Sequence, residues 1–268
     1  MAEAKPPRVL LVEDNEVNQA VAIAILTRLG YHADVVGDGQ QAVEQVTRRR
    51  YGLVLMDCQL PVLDGYQATA EIRRREGPTR HTPIVAMTAG VLEDRKRCLA
   101  AGMDDHIAKP VLLGEVQALL SRWLGSAVTA PTPAGPTVAA ESGVAVLDES
   151  RLTELGRLDA TGTAVLVSRL VECFLDRIPL DLAELRVALD EGDAARVAQI
   201  AHRLRGAAGT VGSSGMVGLC EQLEVLAHTG PTALAGDLLP RLEQEFDRVI
   251  RALDALVLRR RSQEPGGE

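Results

Sequence analysis

The chain has 268 residues, 46% hydrophobic and 25% charged, with aromatics at only 2% and a net charge of −8. That length predicts two domains. The Ala, Leu and Val bias favours helix-rich packing over sandwiches and barrels, and the acidity excludes nucleic acid as the main ligand. No apolar run is long enough to cross a bilayer and no charged leader opens the chain, so neither membrane insertion nor export is expected. The four cysteines, Cys58, Cys98, Cys173 and Cys220, contain no CxxC pair and are too few for a disulfide framework, which predicts a reduced, cytoplasmic protein.

In chain order, short β-branched runs at Val9–Val12, Ala33–Val36, Leu53–Met56, Ile84–Met87 and His106–Ala108 read as strands. Amphipathic stretches between and after them, Asn15–Leu29, Gln40–Arg50, Gly65–Arg75, Leu92–Ala101 and Leu112–Leu124, read as helices. Five βα units predict an α/β, doubly wound, five-stranded parallel sheet over residues 1–125. Residues 126–146 then hold three prolines, two glycines and one charge without any period, and read as a flexible Ala/Pro/Thr linker. Beyond it no strand is convincing. Helical patterns run over Glu149–Arg157, Ala164–Leu189, Ala194–Val211, Ser214–His228 and Leu234–Arg259, with breaks at Gly192-Asp193, Gly212-Ser213 and Gly230-Pro231. This predicts an all-α antiparallel helical bundle over residues 147–262 and a disordered tail at 263–268.

Arginine is the default cation: of 29 basic residues only Lys5, Lys96 and Lys109 are lysine. Lys109 is either a chance survivor or retained for its chemistry. The triplets Arg48–Arg50, Arg73–Arg75 and Arg259–Arg261 each fall near a helix end, where they read as solvated residues facing the negative end of the helix dipole.

In an open parallel sheet, ligands sit at the carboxyl ends of the strands. Those ends carry Glu13 and Asp14 after the first strand, Asp57 after the third, Thr88 after the fourth and Lys109 after the fifth. Three gathered carboxylates repel one another unless a cation joins them, and hard oxygen ligands suit Mg²⁺. A lysine and a hydroxyl opposite them meet the needs of a phosphoryl group, with Asp57 as the nucleophile. A competing pattern, Gly37-Asp38-Gly39-Gln40-Gln41-Ala42 with Asp57 twenty residues after Gly37, fits a dinucleotide-binding turn. That reading leaves Glu13, Asp14, Thr88 and Lys109 without work.

The segments LLVEDNEVNQ, MDCQLPVLDGYQ, VAMTAG and GMDDHIAKP resemble, in order and spacing, the signatures of a response-regulator receiver domain of the hybrid-kinase type, over residues 7–125. The resemblance implies a flavodoxin-like fold in which Asp57 takes phosphate from a partner phosphohistidine. It implies that Asp14, Asp57 and the Gln59 carbonyl bind Mg²⁺ with support from Glu13, and that Thr88 and Lys109 hold the phosphoryl oxygens. One departure is His106, where the family usually has Tyr or Phe. It is either a pH-sensitive replacement for the aromatic switch or an exposed strand-end residue with no role.

On the Ala194–Val211 helix, Val197, Ile200, Ala201, Leu204, Ala208 and Val211 form one stripe, with His202 almost opposite its centre. Ala195, Ala198, Gly206 and Gly209 surround His202. Glycine is costly in a helix interior, so these positions imply another surface approaching closely. The alternative is a surface histidine on a weak helix.

The string AHRLRGAAGTVG, with LCEQLE after it, resembles the histidine phosphotransfer (HPt) family over residues 147–258. The resemblance implies that His202 is phosphorylated, that Arg205 stands in place of the usual lysine, and that Gly206 leaves room for a docking receiver. No glycine-rich loop ending in Lys-Ser/Thr occurs, so a carrier without its own ATP-dependent kinase domain is expected.

Aspartyl and histidyl phosphates are consecutive stations of a phosphorelay. The expected function is therefore an intermediate loaded by a sensor histidine kinase and passing phosphate to or from a response regulator. The alternatives are a detached C-terminal part of a hybrid kinase, a phosphate sink, or a phosphorylation-gated interaction protein without onward transfer.

Overall fold

The computed structural model describes residues 7–88, 92–125, 146–157, 165–229 and 236–263. The expected linker, apart from Val146, and the Gly230-Pro231 break lie outside them. The chain divides into two compact units, Met1–Glu141 and Ser142–Glu268.

In the first unit, β1 (Val9–Val12), β2 (Ala33–Val36), β3 (Leu53–Asp57), β4 (Ile84–Thr88) and β5 (Asp105–Ala108) form a parallel sheet in the order β2-β1-β3-β4-β5. The helices are α1 (Glu16–Arg28), α2 (Gly39–Arg48), α3 (Gly65–Glu76), α4 (Leu92–Ala101) and α5 (Leu113–Leu124). The strands are apolar throughout because both faces are covered. Leu10, Val12, Val54, Met56, Ile84 and Ala86 face a core closed by Ala42, Val43 and Val46 of α2, Ala68 and Ile72 of α3, and Cys98 of α4. The alternate residues Val9, Leu11, Leu53, Leu55 and Val85 are equally buried, as are Val17, Ile25, Val116 and Leu120 of α1 and α5.

The chain order reverses at β1 and β3, so a crevice opens where their carboxyl ends splay apart. Asparagine and aspartate start the helices around it. Asn15 accepts the Val17 and Asn18 N–H groups, Asp38 that of Gln41, and Asp64 that of Gln67. The capped start of α2 rules against the dinucleotide turn. Asp38 already accepts the Gln41 N–H at that helix start, and a Cβ on Gly39 would lie 2.1 Å from the Leu63 carbonyl oxygen. Gly39 is small because the β3–α3 loop packs on it.

Contrary to the expectation of a solvated helix end, the Arg73–Arg75 triplet is only partly exposed. Arg73 is largely buried and donates to the Thr82 and Gly102 carbonyls, Glu76 and Asp104. It ties α3 to the start of β5, while Arg74 and Arg75 pair with Glu71 at the surface.

The second unit comprises α6 (Glu149–Arg157), α7 (Val165–Glu191), α8 (Ala194–Val211), α9 (Ser214–Thr229) and α10 (Leu239–Gln263). Two-residue turns at Gly192-Asp193 and Gly212-Ser213 make α7, α8 and α9 successive antiparallel neighbours. Gly212 holds φ +83, and a Cβ there would press on the Asp148 backbone, so glycine is required. Phe174, Ile178 and Leu185 of α7, Ile200 and Leu204 of α8, Leu223 of α9, and Leu242, Phe246 and Val249 of α10 are all buried. The Phe174 and Phe246 rings lie 5.8 Å apart.

The last helix starts at Leu239 rather than Leu234, after a 3₁₀ turn at 236–238. Pro240 explains this, since proline fits a first helical turn but breaks an interior. The helix runs to Gln263, one residue into the expected tail. Among the described residues no helix is long and apolar enough to cross a membrane.

Candidate functional site

At the crevice edge, Glu13, Asp14 and Asp57 each offer a carboxylate oxygen, and these three atoms lie within 4.8 Å of one another. Glu13 and Asp57 are buried, Asp57 to 1% exposure; Asp14 is half-buried. Lys109 reaches across from the end of β5, its Nζ 2.7 Å from Asp57 Oδ2 and 2.5 Å from Glu13 Oε2. Its side chain is only 12% exposed. Burial alone would push its pKa down, but the charges and hydrogen bonds of Asp57 and Glu13 outweigh that and hold it above the ordinary lysine value.

The carboxylates are held in place by local backbone. Asp57 Oδ1 accepts the Gln59 N–H at 3.1 Å, which folds the chain just after β3. Glu13 Oε1 accepts from the Asn15 N–H and from Asn18 Nδ2, so the first turn of α1 aims its other oxygen at Lys109. Asn18 has no place in the sequence reading; its signal is its position five residues after Glu13, one turn into α1. Gly65 closes the opposite wall. Its N–H donates to the Cys58 carbonyl, and a Cβ there would lie 2.0 Å from the Asp57 carbonyl oxygen.

Thr88 ends β4 and is buried, its hydroxyl donating to the Ile107 carbonyl at 3.5 Å. The Lys109 N–H donates to the Thr88 carbonyl, so the two residues share the sheet edge. His106 is exposed, with its backbone N–H on Asp105 Oδ1 and its Nδ1 4.0 Å from the same oxygen.

The structure corrects the placement of His202. It lies not on an open outer face but at 9% exposure, because α9 packs across that side of α8. His202 Nδ1 is 3.4 Å from Glu224 Oε1 and 3.1 Å from Arg205 Nη2, while Arg205 Nε is 3.2 Å from the same Glu224 oxygen. Glu224 lies within the LCEQLE segment, yet the sequence reading gave it no role. On the other seam of α8, Arg203 pairs with Asp181 and Glu184 of α7, so the helix carrying His202 is clamped from both sides. At Gly209 the structure shows no close approach: a Cβ there would meet Val217 of α9 at 3.9 Å, ordinary contact that alanine would tolerate. Gly206 is half-buried.

Two family models match the chain in order, the response regulator receiver domain over residues 9–121 and the Hpt domain over residues 169–252. The chain is 34% identical over 228 residues to the sensor protein GacS of Pseudomonas syringae, covering 83% of this chain and 25% of that one. It is 30% identical over 252 residues to the aerobic respiration control sensor protein ArcB of Escherichia coli, covering 93% and 32%. The chain therefore spans about a quarter to a third of the length of these relatives. Among solved structures, the receiver domain of the sensor histidine kinase PA1611 from Pseudomonas aeruginosa, with magnesium in its active-site cleft, is 53% identical. It aligns with a TM-score of 0.42 over 45% of this chain and 99% of its own. The chain belongs to the two-component signalling families, carrying a response regulator receiver domain followed by an Hpt domain.

Proposed function

We propose that the chain is a phosphorelay intermediate that accepts a phosphoryl group on Asp57 and carries one on His202. The observation that carries this reading is the gathering of Glu13, Asp14 and Asp57 within 4.8 Å, faced by the Lys109 ammonium. In the first step an Asp57 carboxylate oxygen attacks the phosphorus of a partner phosphohistidine. The P–N bond breaks, its electron pair stays on the partner's imidazole nitrogen, and that nitrogen takes a proton. Forming the acyl phosphate moves negative charge from the carboxylate to the phosphoryl oxygens, and Lys109 follows that charge. Thr88 turns its hydroxyl from the long bond to Ile107 toward a phosphoryl oxygen.

An oxygen-only donor set of this charge fits Mg²⁺, which Glu13, Asp14, Asp57 and the Gln59 carbonyl would hold. When bound, Mg²⁺ offsets the repulsion among the carboxylates and draws charge from the phosphoryl oxygens.

At His202 both neighbours address Nδ1, so Nε2 is the nitrogen assigned to phosphorus. A guanidinium only donates and a carboxylate only accepts, so Nδ1 satisfies Arg205 or Glu224 but not both at once. Transfer uses the Glu224 arrangement, in which Nδ1 carries the proton and Nε2 the lone pair. Glu224 then meets the positive charge that develops on the ring, and Arg205 is released to the incoming phosphoryl oxygens. In this reading a sensor histidine kinase lies upstream, a response regulator aspartate receives from or returns to His202, and the exchange takes place in the cytoplasm.

The test maps phosphate by mass spectrometry after incubation with phosphoramidate and Mg²⁺ or with the histidine kinases of the source cell. Asp57→Asn loses the receiver label. His202→Gln keeps that label and passes none to a regulator. Undiminished receiver labelling of Asp57→Asn, or normal onward transfer by His202→Gln, would overturn the assignment.

A further inference from the structure

Next to the phosphoacceptor assigned above lies a pair of thiols that the mechanism does not use. Cys58 directly follows Asp57 at the end of β3, and Cys98 sits on α4, forty residues away in sequence. Their sulfurs are 3.8 Å apart, with the residues 5% and 2% exposed. None of the four cysteines is joined in a disulfide. We propose that Cys58 and Cys98 are a covalent modification site, an oxidisable dithiol whose co-substrate is a peroxide and whose disulfide shuts down phosphorylation of Asp57. The effect on phosphorylation rests on the assignment of Asp57; the disulfide itself does not.

The two buried sulfurs face each other between the end of β3 and α4, and the disulfide formed is the same whichever reacts first. Let Cys58 react first. Its thiolate attacks one peroxide oxygen, the O–O bond breaks, and the departing hydroxide takes a proton to become water. Cys98 then attacks the Cys58 sulfenic sulfur. The S–O bond breaks, hydroxide leaves with the Cys98 proton as a second water, and the disulfide remains. Two thiols are oxidised and one peroxide is reduced, so the two-electron balance closes. Burial of both sulfurs makes the reaction slow, with a rate set by local opening around α4.

The coupling to Asp57 is short and runs through backbone. Bonded sulfurs sit at about 2.05 Å, so the pair must close by about 1.8 Å. Cys58 has little slack to supply that movement, because its N–H donates to the Met87 carbonyl and its carbonyl accepts from the Gly65 N–H. Drawing Cys58 toward α4 therefore moves the turn in which the Gln59 N–H holds Asp57 Oδ1. That turn presents both the nucleophile and the Gln59 carbonyl.

The experiment treats the full chain with hydrogen peroxide, maps disulfides by proteolysis and mass spectrometry, and then measures Asp57 labelling by phosphoramidate. We expect a Cys58–Cys98 linked peptide pair, a mass loss of about 2 Da, and labelling reduced about tenfold or more, all reversed by dithiothreitol. Cys98→Ala and Cys98→Ser, given the same peroxide, form no link and keep their labelling. Three results would overturn the proposal: no Cys58–Cys98 link in the wild type, a link with labelling unchanged, or equal loss of labelling in the Cys98 variants. The wild-type link needs no variant to be read. If reduced wild type fails to label at Asp57, the functional reading fails and with it the coupling to phosphorylation, while the peptide map still decides the disulfide.

Discussion

Lys109 shows how much one residue can gain from its surroundings. Its ammonium bridges Glu13 and Asp57, and Asp14 completes the acidic group. Removing one partner of a buried ion pair typically costs about 3–5 kcal/mol, because the other charge stays buried without compensation. Lys109→Met should therefore lower receiver stability by about 3 kcal/mol in metal-free buffer. The pH dependence has a definite sign. Folding holds the Lys109 pKa above its ordinary value of 10.5, so its stabilisation is fully present below 10.5 and fades only as pH rises through the higher folded value. The difference in urea midpoint between wild type and Lys109→Met should accordingly stay level from about pH 7 to 10; a steady decline over that range would mean that Lys109 is not held by these carboxylates. Lys109→Arg keeps the charge but should label poorly at Asp57, since a planar fork cannot sit between two oxygens as a compact ammonium does.

The rarity of lysine alone favoured chance; the βα order, which collects the acids and Lys109 at one sheet edge, singled the position out. The aim of Glu13 was not legible, because it depends on Asn18 returning a hydrogen bond from α1. Nor was the thiol pair, whose members are brought together only when α4 folds onto the sheet.

At the scale of elements, close approach decides more than propensity. Gly65 starts α3, where many residues are tolerated, yet a Cβ would lie 2.0 Å from a backbone oxygen of Asp57. Backbone cannot yield as a flexible side chain does, so Gly65→Ala should destabilise the receiver by about 2–3 kcal/mol and depress Asp57 labelling. Gly114, near the start of α5, has open space around its Cβ position and serves as the control. Gly114→Ala should leave labelling unchanged and raise stability by about 0.5–1 kcal/mol. Equal urea midpoints for the two variants would contradict the contact at Gly65.

Helix α8 marks the limit of reading one element at a time. Its apolar stripe was legible, and Val197, Ile200, Leu204 and Val211 are all fully buried. The stripe reports one apolar seam, whereas α8 has a second contact with α9 built from glycine, histidine and ion pairs. A hydrophobic wheel cannot register that seam, so His202 was placed in the open although Glu224 and Arg205 cover its Nδ1 edge. The close approach read from the small residues around His202 is not seen at Gly209, where a Cβ would only touch Val217 at 3.9 Å.

For the whole molecule, the change from alternating strands and helices to helices alone gave both architectures, and the chain does divide into two compact units. Each unit has its own apolar centre, so each should fold without the other. Residues 1–125 and 146–268, expressed separately, should melt within about 3 °C of the corresponding transitions of the full chain. A large drop in either would mean that the two units stabilise each other.

Closed, separate cores also shape what genetic damage would do. A change that unfolds the helical unit, such as Phe174→Asp or Leu204→Asp at two fully buried positions, leaves the receiver's own core untouched. On the proposed function, the surviving half still draws phosphate from the kinase but has no His202 of its own to pass it to. Such an allele would not be silently recessive: beside an intact copy it would compete for the same donor and drain the signal in proportion to its abundance. The matching lesion at Asp57 would take nothing from the kinase and would be complemented by the intact copy.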